Sequence, residues 1–520
     1  MNQLIGIALA IGLGWTPPDS ALKSSDTWTR DQAAHLLRRA GFGGTPQQID
    51  HLAGLDRRGA VEYLVQFEHI PNTPLPIRIE PHPLPIGWTH PDITPEQRQE
   101  LHRQRRQTDQ LQFGRIVGWW IRTMTKSNRP LQEKLVLFWH GHFTSGFREV
   151  RSSRAMYFQN ELFRKHAAGN FRDLLLAITH DPAMIRYLNT EQNHKGKPNE
   201  NYARELMELF TMGPGHYTED DIKQAARAFT GIGIDRRTGE MAFHGRQHDY
   251  LTKTFLGRSG KFDDADVIDI ILEQPATAEF LARQLWTFFA YEDPDDRIVA
   301  ALANILREND YELKPMLTAM FLSDAFYAKP ARFTHIKSPV ELLVGTLRAL
   351  EIEPVDTHFL GDGLRGLGQQ LMQPPNVKGW DGGRRWITTS SLLKRDNFLG
   401  RLLEGNNNPR ERRARRQRQE RLVALLGEEA GSAEDDIPPL QPAYDPMPII
   451  KAEKLKTAGV VVDHFVGRLL QRPIAPERRR ALIKAVMPHI NRRNIQAPSN
   501  TAAMRGLIHL ILSMPEYQLS

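Results

Sequence analysis

The sequence predicts a mainly α-helical fold, a large bundle-like globule whose helices are joined by short irregular glycine-rich loops. Three observations predict it. Apolar residues recur at helical spacing through most of the 520 residues, and sustained strand alternation is scarce. Ser, Thr, Asn or Asp, often followed by Pro, stands ahead of one apolar run after another. Segments near the two ends also echo one another, as reused helical hairpins would. The length allows roughly two to four domains, and 40% hydrophobic with 25% charged residues is ordinary globular composition.

In chain order, residues 4–15 (LIGIALAIGLGW) are apolar but too short for a comfortable membrane span, and no other segment approaches that length. Residues 1–25 are therefore read as a signal peptide or a first buried helix. The absence of Lys or Arg in the first three positions and of a clean small-x-small site before Thr27 counts against the signal peptide. Export to the periplasm or beyond is the expectation, with a cytoplasmic protein as the alternative.

Residues 26–70 read as a helical hairpin broken at Gly41, Gly43 and Gly44, with Thr45 capping the second helix and Pro46 in its first position. Proline-rich residues 71–98 form a linker or wrapped arm ending at Thr94 and Pro95, which open a long helix. Residues 99–400 are the main helical core. Within them Pro130 starts PLQEKLVLFWHGHF, Asn170 and Thr218 open further helices, and the glycine-rich stretch 231–262 suggests a short hairpin around residues 236–239. Residues 401–446 are an Arg-rich, then acidic and Pro-rich insertion, expected as a charged helix flanked by disorder. Residues 447–520 form a C-terminal helical segment packed on the core. Its run 506–517 resembles 316–327, and its LLQR (469–472) ahead of Pro476 echoes LLRR (36–39) ahead of Pro46.

Composition excludes some chemistry. There is no cysteine, so disulfides, thiolate nucleophiles and Cys-ligated zinc or iron–sulfur sites are ruled out. The net charge of +7 suggests nucleic acid, but residues 401–421 alone carry eight Arg against three Glu, leaving a near-neutral body, so a nucleic-acid partner is not expected. No Walker A, no dinucleotide-binding glycine motif after a strand, no G-x-S-x-G and no H-E-x-x-H occurs.

The candidate chemistry centres on NENYARELMELFTMG, residues 199–213. At about 100° per residue, Asn201, Arg204, Glu205 and Glu208 share one sector and apolar residues cover the rest, so the helix is packed on most sides and its polar strip faces a cleft. The alternative is an amphipathic helix with a solvated Glu/Arg face. Glu205 and Glu208, desolvated together, divide into a protonated and an ionised carboxyl, the division used in glycoside hydrolysis. Arg204 would orient a carboxylate or an anionic substrate group.

His140 and His142 diverge by about 200° on a continuous helix. They share a site only if the helix ends near Gly141; otherwise each is held by backbone groups. A divalent metal held by His140, His142 and Glu205 is one form of that shared site. His248 beside Asp249 is a candidate oriented base in a loop. Trp380, Asp381 and Trp386 pair aromatic faces with a carboxylate, as sugar stacking uses, and Asn201 would join them in binding substrate.

These segments together resemble the large bacterial family of unknown function numbered 1800. The resemblance is carried by LLRRAGFGGTP, EKLVLFWHGHF, QNELFRKHAAGNFRDLL, DPAMIRYLN, NHKGKPNENYARELMELFTMG, YTEDDIKQAARAFTG, HDYLTKTFLG, KSPVELLVG and PPNVKGWDGGRRWI, with LILSMPEYQL further on. The insertion at 405–445 stands outside the pattern. The resemblance implies no assigned activity. It implies frequent export and a gene neighbour similar to alkaline phosphatases and sulfatases, hence work on extracellular or envelope material such as polysaccharide. The expectation is an exported hydrolase or lyase, with a non-catalytic envelope scaffold or glycan-binding partner of a sulfatase- or phosphatase-like enzyme as the alternative.

Overall fold

Side-chain caps set where the helices begin. Thr29, Thr45, Thr94, Thr218, Asp263, Ser338 and Thr388 each accept the N–H three residues on, while the residue at that position reaches back to the cap's own N–H. Two of the orphan donors at each helix start are thereby satisfied. Pro46, Pro95 and Pro339 follow three of these caps, where their missing N–H costs nothing. The computed structural model describes residues 20–84, 86, 92–406, 409–426 and 439–520. The apolar run at 4–15 and the acidic stretch 427–438 lie outside the described residues.

Helix dominates, as predicted, and among the described residues strand is confined to two short antiparallel pairs. β1 (Ile232–Ile234) pairs with β2 (Met241–Phe243), and β3 (Lys253–Phe255) with β4 (Arg258–Gly260). The turn of the first pair spans 235–240, where the glycine-rich stretch suggested a hairpin. Among the described residues no helix is long and apolar enough to cross a membrane.

The central element is the helix Pro130–His142, whose residues from Pro130 to His140 are all buried. It lies against the helices Pro95–Lys126, Ser153–Lys165 and Arg57–Val65. Trp120, Trp139 and Trp286 are fully buried, and Trp139 donates its indole N–H to the Ala167 carbonyl at 2.9 Å. Burying such rings stabilises by roughly 2–3 kcal/mol each.

The proline-rich segment is a wrapped arm. The Leu75 carbonyl accepts the Trp119 indole N–H at 3.0 Å, and the Gln112 side chain accepts the Glu80 N–H at 2.7 Å. The helix Pro409–Leu426 carries the Arg-rich run, with Arg416 paired to Glu420 at 3.0 Å.

The two echoing segments adopt the same local structure. Helix Arg30–Arg39 followed by Pro46–Ala53 corresponds to Ala458–Leu469 followed by Pro476–Val486. Leu313–Leu322 with its terminal turn Asp324–Tyr327 corresponds to Thr501–Leu512 with Pro515–Gln518. The halves meet at Phe333, whose ring has the Arg38 guanidinium at 4.4 Å and that of Arg472 at 4.9 Å.

Candidate functional site

The helix expected over 199–213 is not uniform. It is α-helical over Asn201–Glu205 and then widens into a π-helix over Leu206–Thr211. The Met212 N–H donates to the Met207 carbonyl at 3.0 Å, the Gly213 N–H to the same carbonyl at 3.1 Å. Gly213 ends the turn at φ +76°, where a Cβ would also stand 3.0 Å from the Phe280 ring. π turns rotate the residues that follow them and recur at functional sites.

The predicted polar strip is divided between rim and cavity. Arg204 and Asn201 stay on the outer rim: Arg204 pairs with Glu219 at 2.8 Å and Glu200 at 3.2 Å, and Asn201 is exposed. Glu208 turns inward and accepts the Tyr217 hydroxyl at 3.2 Å. Burial and the Glu208 charge push that phenol up to about 12. Glu205 is half-buried behind it. Its carboxyl is raised by burial and by Glu208, against the opposing charges of Arg204 and Lys378.

Glu208 faces a cavity of about 460 Å³ together with His142, Trp380, Asp381 and Trp386. Five sequence-predicted residues thus line one hollow. Its walls are the end of the helix Pro130–His142, the π turn, the helix Pro275–Phe289 through Phe280, Gln284 and Phe288, and the 377–386 loop. The loop is seated by Thr144, whose hydroxyl donates to the Val377 carbonyl at 2.6 Å. At Gly379 (φ +80°) a Cβ would come within 2.5 Å of the Gly141 carbonyl, so only glycine allows this approach. Trp380 and Trp386 remain half-buried, and Asp381 is exposed and paired with Arg385.

The two imidazoles do not meet. The helix continues through Gly141 to His142, so the rings diverge as a continuous helix requires. His142 is on the cavity wall. Its Nε2–H donates to the Phe210 carbonyl at 2.9 Å, and burial lowers the ring to about 4. His140 is sealed behind the cavity between Trp120 (5.3 Å) and Trp380 (5.5 Å), where its Nε2 accepts the Met372 N–H at 3.0 Å. Burial holds it down to about 3. Its ring packs against that of Trp380. His140, His142 and Glu205 do not gather as a ligand set, and no cluster of three or more His, Asp or Glu suited to a metal ion occurs among the described residues.

His248 and Asp249 lie elsewhere, in the turn between the two strand pairs. The His248 Nδ1–H donates to the Thr230 carbonyl at 2.7 Å. Asp249 pairs with Arg227 at 2.7 Å and accepts the Leu251 N–H at 2.9 Å. Burial acts to raise that carboxyl, but these bonds hold it below its ordinary value. Neither residue belongs to the cavity lining.

Sequence reasoning missed His335, Glu341, Glu292, Gln369 and Lys378, which complete the lining. Glu341 is buried and accepts from Lys134, from His335 Nε2 at 3.1 Å and from the Ser338 N–H at 2.8 Å, with Arg39 at 3.9 Å. Burial would raise its carboxyl, but the surrounding positive charge of Lys134 and its neighbours holds it well below the usual range. Locally Ser338 and Glu341 form an ordinary capping pair, and nothing near them in the chain signals that this carboxylate also takes Lys134 from a distant segment.

Comparison with curated proteins finds no match, and comparison with solved structures finds none either. The family model described as a protein of unknown function (DUF1800) matches residues 35–519, nearly the whole length, and the chain belongs to that family.

Proposed function

We propose that the chain is a hydrolase or lyase that acts on polysaccharide-like material in the cavity between the π turn and the Trp380 loop. The observation that carries the reading is the joint presence of two half-buried tryptophans and the inward-turned Glu208 around one cavity of about 460 Å³. That volume lies in the range of small-ligand sites, roughly 300–1,000 Å³. Trp faces take the apolar face of a sugar ring, and the partly buried Gln284 supplies an amide donor and acceptor for hydroxyls.

Glu208 is the group placed to move a proton at the substrate. Glu205, raised by burial and by its neighbour, sets the local field from behind. In hydrolysis Glu208 takes a proton from the attacking water and returns it to the leaving oxygen. In elimination the base removes a ring proton instead. His142 is neutral near pH 7 and has Nε2 committed to the backbone, so it contributes an oriented ring edge rather than a charge.

A polysaccharide panel tests this, reading reducing ends for hydrolysis and ultraviolet absorbance of unsaturated products for elimination. Glu208→Gln is expected to lower turnover by roughly 10²–10⁴-fold with binding retained, and Trp380→Ala to weaken binding. Equal turnover by wild type and Glu208→Gln removes Glu208 from the mechanism. Binding without turnover by either protein leaves the same cavity as a glycan receptor.

A further inference from the structure

Glu341 lines a second cavity as well, a small one of about 30 Å³ where the two helical repeats join. Arg38 and Gly43 of the first repeat, Lys337, Arg468 of the last repeat and Tyr517 form its walls. The segments LLRRAGFGG, KSPVELLVG and PEYQL converge here, and the second of them also reaches the larger cavity through Ser338 and Glu341.

The charge at this junction is unbalanced. Arg38 is 8% exposed. One of its terminal nitrogens donates to Gln471, while its Nε and Nη2 have no partner among the described residues. Lys337 is 9% exposed. Its ammonium stands 3.8 Å from the centre of the Tyr517 ring and makes no hydrogen bond or ion pair among the described residues. Arg395 lies alongside, donating to the Lys337 carbonyl at 2.8 Å, and Arg39 is fully buried nearby. The carboxylate in the wall, Glu341, is already engaged by Lys134 and His335. Arg468 is engaged by Glu351 and the Ala349 carbonyl. Two buried cations therefore line the cavity, and the opposing charges that act on them come only from the exposed Asp31 and from Glu341, which Lys134 already engages, an arrangement that is unfavourable unless something nearer supplies a counter-charge.

We infer that this cavity is an anion site, taking a small inorganic anion of the halide class between Lys337 and the free edge of Arg38. The volume holds roughly two water-sized groups, enough for a halide with or without one water and too small for a sugar or nucleotide. Burial and the neighbouring cations lower Lys337 to about 7 and Arg38 to about 9, and an anion between them reverses both effects. The occupant braces the seam between the first and last repeats, so its role is to hold the fold around the larger cavity.

The test uses the full chain, purified in sodium gluconate and unfolded thermally in sodium bromide, sodium chloride, sodium sulfate or sodium gluconate at equal ionic strength. The halides are expected to raise the midpoint by about 2–5 °C over gluconate. A bromide-soaked crystal should show an anomalous peak between Lys337 and Arg38. Lys337→Met should keep the fold, judged by near-ultraviolet circular dichroism, and lose the halide dependence. Arg38→Met serves the same purpose if that variant does not fold. Equal midpoints in halide and gluconate, a halide gain that folded Lys337→Met retains in full, or a halide gain without a peak in the cavity each overturns the proposal; sulfate, which stabilises folded proteins by exclusion from their surface, marks the non-specific salt effect.

Discussion

The cavity at Glu208 and the turn at His248 contain the same kinds of groups, a carboxylate, an imidazole and aromatic rings, yet they differ in what is left unspent. In the turn, Asp249 takes Arg227 and the Leu251 N–H, and His248 is tied to Thr230, so both are engaged by the turn itself and neither lines the larger cavity. At the cavity, Glu208 takes one hydroxyl and then faces open volume beside two half-buried tryptophans. Residue type did not separate these regions. Free acceptors next to a void did, because catalysis and binding need groups whose hydrogen bonds are not already satisfied by the fold.

The contrast can be broken or sharpened by experiment. Glu341 belongs to both worlds, lining the cavity while holding Lys134 and His335. Glu341→Ala leaves buried cations without a partner, and urea unfolding should show a loss of about 3–5 kcal/mol. A loss below about 1 kcal/mol would mean that the network is not the brace its geometry implies.

Acid provides the second test. His140 is neutral in the fold, lowered to about 3 by burial, while in the unfolded chain it titrates near 6.5. Its folded pKa is depressed, so the unfolded state binds the extra proton. Stability is complete above about pH 6.5 and declines as pH falls toward 3. Between pH 6.5 and 5 this residue alone should cost about 2 kcal/mol. His140→Gln keeps an acceptor for the Met372 N–H and should flatten that part of the profile. Superimposable profiles would show the ring to be better solvated than its sealed position implies.

The smallest effect is expected at the closed turn. Asp249→Asn weakens the bond to Arg227 and should cost about 1–2 kcal/mol in urea unfolding, with sugar binding unchanged. A specific loss of turnover in a variant that is otherwise well folded would bring this turn back as a functional region.

Much of the fold was legible. Thr45, Thr94, Thr218 and Asn170 open helices where their side chains predicted, since a cap acts through bonds no more than three residues long. The hairpin at 235–240 and the echoing end segments were equally local in origin. The site was legible in part. His142, Glu208, Trp380, Asp381 and Trp386 share one cavity, but Arg204 and Asn201 stand on the rim, Glu205 and His140 lie behind the wall, and His248 with Asp249 is elsewhere. The wheel placed Arg204 and Glu208 in one sector but could not show their partners: Arg204 is drawn to Glu219 and Glu200 on the rim, while Glu208 meets Tyr217 and the cavity. His335, Glu292 and Glu341 gave no local signal because they reach the cavity from distant parts of the chain.

By itself, the amino-acid order determined the helical class, the starts of the helices, the absence of cysteine chemistry and the motifs that mark the family. Those depend on periodicity and on hydrogen bonds spanning a few residues. Tertiary structure alone decided which polar groups meet a hollow and which are saturated. A void is made by elements from remote stretches of chain failing to close completely on one another, and no short-range pattern encodes that failure.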